Sequence, residues 1–246
     1  MSFFDKYKKK KRAHEMSQYV YSEEQMVGEH LHFDASEAYQ LLRTNLMFSL
    51  PDTDGCRVIG MVSALSREGK SLSAINIAYS MAQVGKKVLL AECDLRLPTI
   101  GKRLALKQAP GLCNWLARHS DIHEIIQTHG TDTKIHVLTS GNIPPNPAEY
   151  LNSPRVGLLF EALKQEYDYI IIDLPPVMEV SDALVLSKYI DGMIIVVHQN
   201  YSNRRALDST ISQLQFVEAK ILGFLFNSVK TNERVGKYKY RFRKYK

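Results

Sequence analysis

Apolar residues follow two rhythms along this chain. Short, nearly continuous apolar runs occur at Val58–Val62, Lys87–Glu92, Ile135–Thr139, Tyr169–Asp173, Gly192–Val197 and Ile221–Asn227. Runs of that length, bounded by turn residues, predict buried strands. Between them, apolar residues recur every three or four positions. That period predicts helices over Lys70–Val84, Pro154–Gln165, Asp182–Lys188 and Arg204–Phe216. In the first of these, Leu72, Ile75, Ala78, Tyr79 and Ala82 share a face, and Gly85 can close it in a left-handed cap. Another helix is expected from about Glu37, capped by Asp34 or Ser36, with Ala38, Leu41, Leu42 and Leu46 as its apolar stripe. Strands alternate with helices, and the strands are apolar on both faces. This predicts an α/β fold: a mostly parallel sheet with helices on both faces.

Composition excludes several classes. The chain has 246 residues and is 45% apolar, so wholesale disorder is out. Its longest unbroken apolar runs, such as Met193–Val197, are about five residues, against the roughly twenty a membrane-spanning helix needs. The N-terminal MSFFDKYKKKKR lacks the apolar core of a secretory signal, and three cysteines form no paired framework. A cytoplasmic location is expected.

Charge is divided unevenly. The net charge is +6, but residues 1–12 carry +5 and residues 230–246 carry +7, leaving −6 on the body. Three parts follow: a basic flexible arm at 1–33, a folded domain at 34–230 and a basic, tyrosine-containing tail at 231–246. Basic ends on an acidic body suit anionic lipid or an acidic neighbouring subunit, and no specific nucleic-acid partner is expected.

Between the first strand and the long helix lies Ala64-Leu65-Ser66-Arg67-Glu68-Gly69-Lys70-Ser71, a P-loop with alanine in place of the first glycine. Its backbone N–H groups, with the helix dipole, can cradle a polyphosphate. Ser66, Arg67, Glu68, Gly69, Lys70, Ser71 and Leu72 are therefore candidate nucleotide-binding residues. Lys70 would meet the β and γ oxygens, and Ser71 a magnesium ion. Glu92 and Asp94 end the second strand, and Asp173 ends another. Ligands of open parallel sheets lie beyond those ends, so three carboxylates would gather at the phosphates. Carboxylates beside ATP require a divalent cation, and Mg²⁺ suits an all-oxygen shell.

These motifs together resemble the bacterial tyrosine kinases of capsule and exopolysaccharide synthesis, which use a P-loop NTPase fold. Glu92-Cys93-Asp94-Leu95-Arg96 is similar to that family's second acidic motif, usually Asp-x-Asp-x-Arg. Asp173-Leu174-Pro175-Pro176 with Val180-Ser181-Asp182-Ala183 is similar to its Walker B region. Gly141–Pro147 and Gly223–Asn227 also resemble family segments. The resemblance implies ATP and Mg²⁺ as cofactors, with Ser71, Asp94 and Asp173 as metal ligands. Lys70, Glu92, Asp94 and Asp173 would be catalytic, with Glu92 accepting the tyrosine proton, Arg96 steadying the acidic loop and Asn227 reading the adenine edge. Glu37, Gln40 and Arg43 resemble the Glu-x-x-Arg-x-x-Arg helix that packs subunits into a ring, with Gln40 in place of the middle arginine. Tyr238, Tyr240 and Tyr245 would be phosphorylated between subunits. A membrane-bound activator is implied, acting through its cytosolic tail and recruiting the kinase to the inner face of the membrane.

Three other readings compete. A partitioning ATPase would carry a signature lysine where this chain has Leu65. A nucleotide-switched scaffold would bind ATP and leave the tail unmodified. A zinc site at His119 and His123 would need helical spacing and a second histidine where Gln127 stands.

Overall fold

Alternate residues of the central strands feed two separate cores. The computed structural model describes residues 27–28, 31–50 and 55–229. Its strands are β1 (Arg57–Ser63), β2 (Val88–Glu92), β3 (Ile126–His129), β4 (Ile135–Leu138), β5 (Tyr169–Asp173), β6 (Gly192–His198) and β7 (Ile221–Asn227). They form one sheet in the order β3-β4-β2-β5-β1-β6-β7, parallel throughout except for the β3–β4 pair. Val58, Val62, Leu89, Ile170 and Ile172 face one core, and Ile59, Met61, Leu90 and Ile171 face the other. Period-two alternation sends neighbours to opposite faces, and both faces are covered, so the strand interiors are apolar or glycine.

The helices are α1 (Phe33–Ser49), α2 (Lys70–Ala82), α3 (Ile100–Arg103), α4 (Leu112–Leu116), α5 (Pro147–Leu151), α6 (Pro154–Lys164), α7 (Asp182–Leu186) and α8 (Arg204–Phe216). α6 and α8 cover the first core through Leu159, Phe160 and Leu214; α2 covers the second through Ile75, Ala78 and Met81. The expected apolar face of α2 is only part of its buried surface. Residues 73–81 are buried without a break, while Leu72 is half-buried. The helix lies between the sheet and α1, so it has almost no solvent face.

Three local expectations need correction. α1 begins at Phe33 after His32, with no side-chain cap; Asp34 sits in its first turn and Ser36 Oγ accepts from Gln40 instead. Its inward residues are Tyr39, Leu42 and Leu46, whereas Ala38 and Leu41 are exposed. β3 is an extra antiparallel edge strand, half-exposed and polar in sequence. The Asp182–Lys188 helix tightens into a 3₁₀ turn at Ser187–Tyr189.

Most of the 1–33 arm and all of the 231–246 tail lie outside the described residues. Within that arm, Val27 packs on the second core and Gly28 N–H donates to Asn76 Oδ1 at 2.9 Å. Among the described residues no helix is long and apolar enough to cross a membrane.

Candidate active site

Strand register brings the separate motifs to one edge. β5 lies between β1 and β2, with Asp173 opposite both Met61 and Glu92. The loop leaving β1, the carboxylate ending β5 and the acidic run ending β2 are therefore neighbours.

The loop from Ala64 to Gly69 takes an unusual backbone path. Arg67 and Gly69 both take positive φ, 65° and 93°. A Cβ on Gly69 would collide with the Asn227 amide, whose Nδ2 donates to Glu68 O at 3.0 Å. Gly69 precedes α2 and supplies no side-chain cap. The helix's first N–H groups are thus left for an anion. Glu68 is buried beneath the loop. Its Oε2 accepts Leu65 N–H at 3.0 Å, and its Oε1 accepts the Ser202 hydroxyl. Ser202 Oγ in turn accepts His198 N–H at 2.7 Å, tying the loop to the end of β6.

Lys70 opens α2 and lies between two carboxylates. Its Nζ is 2.7 Å from Asp173 Oδ1 and 3.3 Å from Asp94 Oδ2, all three residues being buried. Burial alone would lower the Lys70 pKa, but the charges of Asp173 and Asp94 more than reverse this and hold it above the ordinary lysine value. Burial also pushes the Asp173 carboxyl up from its ordinary value. Lys70 and the Ser71 hydroxyl offset part of that rise, and Asp94 adds to it. Burial drives the first-order rise at Asp173 and the two carboxylate charges drive the rise at Lys70; two buried carboxylates share one lysine, so one negative charge is left over.

That surplus fits a divalent cation. Asp173 Oδ2 is buried and has no hydrogen-bond partner among the described residues. The Ser71 hydroxyl lies beside the same carboxylate, 3.5 Å from Lys70 Nζ. An orphaned carboxylate oxygen, a second carboxylate and a hydroxyl form the hard oxygen set that Mg²⁺ prefers.

Sequence comparison matches residues 56–224 to the AAA domain family. The chain is 35% identical over 198 residues to the tyrosine-protein kinase YwqD of Bacillus subtilis (strain 168), covering 80% of this chain and 83% of that protein. The kinase domain of Escherichia coli tyrosine kinase ETK superposes with a TM-score of 0.74 at 28% identity, covering 80% of this chain and 78% of that one. The chimerical protein CapA2B2 also superposes with a TM-score of 0.74, at 33% identity, covering 79% of this chain and 85% of that one. This chain belongs to the bacterial tyrosine kinases.

The kinase fold is the expected α/β P-loop NTPase. Within it, Glu92 and Asn227 make contacts that no local pattern announces. Glu92 is fully buried. Its Oε1 accepts the N–H groups of Thr99 at 2.6 Å and Ile100 at 2.5 Å. Its Oε2 accepts Ser140 N–H at 3.1 Å and Gln108 Nε2 at 3.2 Å. All four contacts hold loops together and take up the acceptor positions of the carboxylate, which favours a positioning role over the expected role as proton acceptor. Asn227 likewise commits its amide to backbone, donating to Glu68 O and accepting Ser228 N–H at 2.8 Å. One N–H and one lone pair of that amide remain for a further partner.

Arg96, expected to steady the acidic loop, pairs with a residue outside it. Its Nε is 3.1 Å from Asp182 Oδ2, linking the acidic motif to the start of α7. Asp94 Oδ1 accepts Leu97 N–H at 3.1 Å, which closes the same turn. Gln108, Ser140, Glu179 and Ser202 were not among the expected site residues. Each acts through a long-range contact that leaves no local mark in the sequence.

Glu37, Gln40 and Arg43 lie along α1. Gln40 Nε2 reaches Ser36 Oγ at 3.4 Å, and Arg43 donates to Ser80 O at 2.6 Å on α2. Arg43 therefore braces its own subunit in this structure. His119 and His123 are exposed in the loop beyond α4, so the helical spacing of a zinc site is not formed. Tyr238, Tyr240 and Tyr245 lie outside the described residues.

Proposed function

We propose that this kinase transfers the γ-phosphoryl group of ATP to Tyr238, Tyr240 or Tyr245 of a neighbouring copy. The observation that carries this reading is Lys70, buried at the start of α2 between Asp173 and Asp94 with one carboxylate oxygen left over.

Phosphoryl transfer depends on positioning and charge neutralisation. The loop N–H groups would hold the phosphates, and Lys70 would neutralise charge on their outer oxygens. Ser71, Asp173 and Asp94 would hold Mg²⁺, which when bound supplies positive charge to the phosphate oxygens. A free tyrosine hydroxyl has a pKa of about 10, so its proton leaves only as the new bond forms. With Glu92 enclosed, Asp94 on the same motif, held less closely by Lys70 than Asp173 is, would receive it.

Copies would meet along α1, where Phe33, Leu41 and Phe48 are all exposed at helical spacing. A relative of known structure is itself a chimerical protein. We read this chain as needing a comparable added segment, the cytosolic tail of a membrane-bound activator in capsule or exopolysaccharide synthesis. The Lys8–Arg12 run would add a salt-sensitive attraction to anionic lipid. Three phosphates, each of about −1.5 to −2, would bring the tail from +7 to roughly +1 to +2.5 and loosen its docking on the acidic body.

The deciding experiment incubates the protein with Mg-ATP and the activator tail, then examines the C-terminal peptide by mass spectrometry. Phosphate on Tyr238, Tyr240 or Tyr245 is expected. A tail left unmodified by protein that binds nucleotide would overturn the transfer and leave the scaffold reading.

A second expectation concerns pH. Asp173 holds its proton to higher pH than an ordinary aspartate, and that proton competes with the metal. Magnesium-dependent nucleotide affinity should therefore weaken as pH falls through this raised value. The sign for folding is opposite: the stability Asp173 contributes is fully present below the ordinary aspartate pKa and is lost as pH rises through the raised one. Asp173→Asn should cut affinity by about ten- to a hundredfold and abolish the pH dependence. Calorimetric titrations at several pH values check this, and a flat wild-type profile would refute it.

A further inference from the structure

Glu179 lies on the stretch that leaves β5 six residues after Asp173. Its Oε1 accepts the backbone N–H of Ser66 at 2.8 Å. Ser66 is the third residue of the Ala64–Ser71 loop, whose N–H groups form the phosphate cradle in the reading above. The backbone on either side supports the contact. Val177 N–H donates to Ser63 O at 3.0 Å and Met178 N–H to Ala64 O at 3.3 Å. Residues 177–179 thus run alongside the start of the loop, and the Glu179 side chain turns back onto it.

Glu179 is exposed, and among the described residues no cation forms an ion pair with it. A solvated carboxylate at the surface needs no backbone partner. This one nevertheless occupies an N–H group of a loop whose chemistry is anion binding. A phosphate oxygen and the carboxylate cannot both take that hydrogen bond, and their like charges repel at such short range.

We infer that Glu179 is an internal competitor of the nucleotide, holding Ser66 N–H while the loop is empty and leaving it when a polyphosphate arrives. A contact made only in the nucleotide-free state subtracts its free energy from binding. The stretch so released is bounded by Asp173 in the metal site and by Asp182, which holds Arg96. Loop occupancy is thereby communicated to both ends of the acidic site. The inference rests on the nucleotide-site reading proposed above.

The test uses the full chain, Mg²⁺ and a non-hydrolysable ATP analogue, with dissociation constants measured by calorimetry. Glu179→Ala should bind about three- to tenfold more tightly than wild type, the gain expected for removing one exposed charge-assisted hydrogen bond from the competing state, and Glu179→Gln, whose amide oxygen can still accept Ser66 N–H without the charge, should gain less. Glu161→Gln on α6 makes the same change in net charge far along the chain and should leave affinity unchanged. Glu179 variants that bind no more tightly than wild type, or only as tightly as Glu161→Gln, overturn the competitor. Folded wild-type protein that binds no magnesium nucleotide would instead overturn the nucleotide site itself, and the competitor with it.

Discussion

Lys70→Met is expected to reduce tail phosphorylation by at least about a hundredfold. Removing one preorganised donor aimed at developing charge typically lowers turnover by about 10²–10³. Here the donor is a full positive charge, buried and fixed by two carboxylates. The substitution has a second consequence that a surface lysine would not show. It leaves Asp173 and Asp94 facing each other with no cation between them. Breaking a buried pair in this way costs about 3–5 kcal/mol when the remaining charge stays ionised. Asp173 can avoid part of that penalty by keeping its proton, since its pKa already lies above the ordinary value and loses the pull of Lys70. A group with a raised folded pKa stabilises the fold at low pH and loses that contribution as pH rises. The variant should therefore melt roughly 5–10 °C below wild type at pH 8, with a smaller gap at pH 5.5. Labelling with radioactive ATP and melting curves at both pH values check the two parts. A variant that still labels its own tail would contradict the mechanism, and an equal melting gap at both pH values would contradict the charge argument.

The fold was legible because burial on both sides of a sheet forces continuous apolar strands. β1, β2, β5 and β6 carry that signal, and the register that aligns Asp173 with Met61 and Glu92 follows from it. β3 was illegible for the complementary reason. As an antiparallel edge strand it is half-exposed, and its Gln127, Thr128 and His129 break any apolar run. The start of α1 was misplaced because His32 supplies no cap, so the usual Ser or Asp signal pointed inward of the true end. At the site, the residue types of Lys70, Ser71, Asp94 and Asp173 were readable because a phosphate loop and strand-end carboxylates have few other uses. The orientation of Glu92 was not. A carboxylate at a strand end can turn toward the ligand or toward the protein, and the choice is made by Thr99, Gln108 and Ser140, which no local pattern connects to it. Glu179 and Ser66 are 113 positions apart and had no common signal at all.

Glu92→Gln distinguishes a carboxylate that positions loops from one that takes a proton. Each oxygen of Glu92 accepts two N–H groups. Glutamine keeps the shape but replaces one oxygen with an NH₂ group. Turned toward Thr99 and Ile100, that group would face two backbone donors that cannot rearrange. Turned toward Gln108 and Ser140, it meets one side chain that can flip to accept and one backbone N–H that cannot. The second orientation is cheaper, yet it strands Ser140 N–H in the interior and weakens the charge-assisted bonds on the other oxygen. Together these cost about 3 kcal/mol, or roughly 6–12 °C in melting temperature for a chain of this size. Glu92→Asp is expected to fall between wild type and Glu92→Gln, because a carboxylate one methylene shorter cannot reach both Ile100 and Ser140. Phosphorylation should decline along the same series, since Asp94 lies two residues further on and inherits any shift in the loop. A proton acceptor would behave otherwise: the glutamine variant would melt like wild type and lose turnover alone. That outcome would return Glu92 to the reaction and require the carboxylate to leave all four of its present donors before transfer.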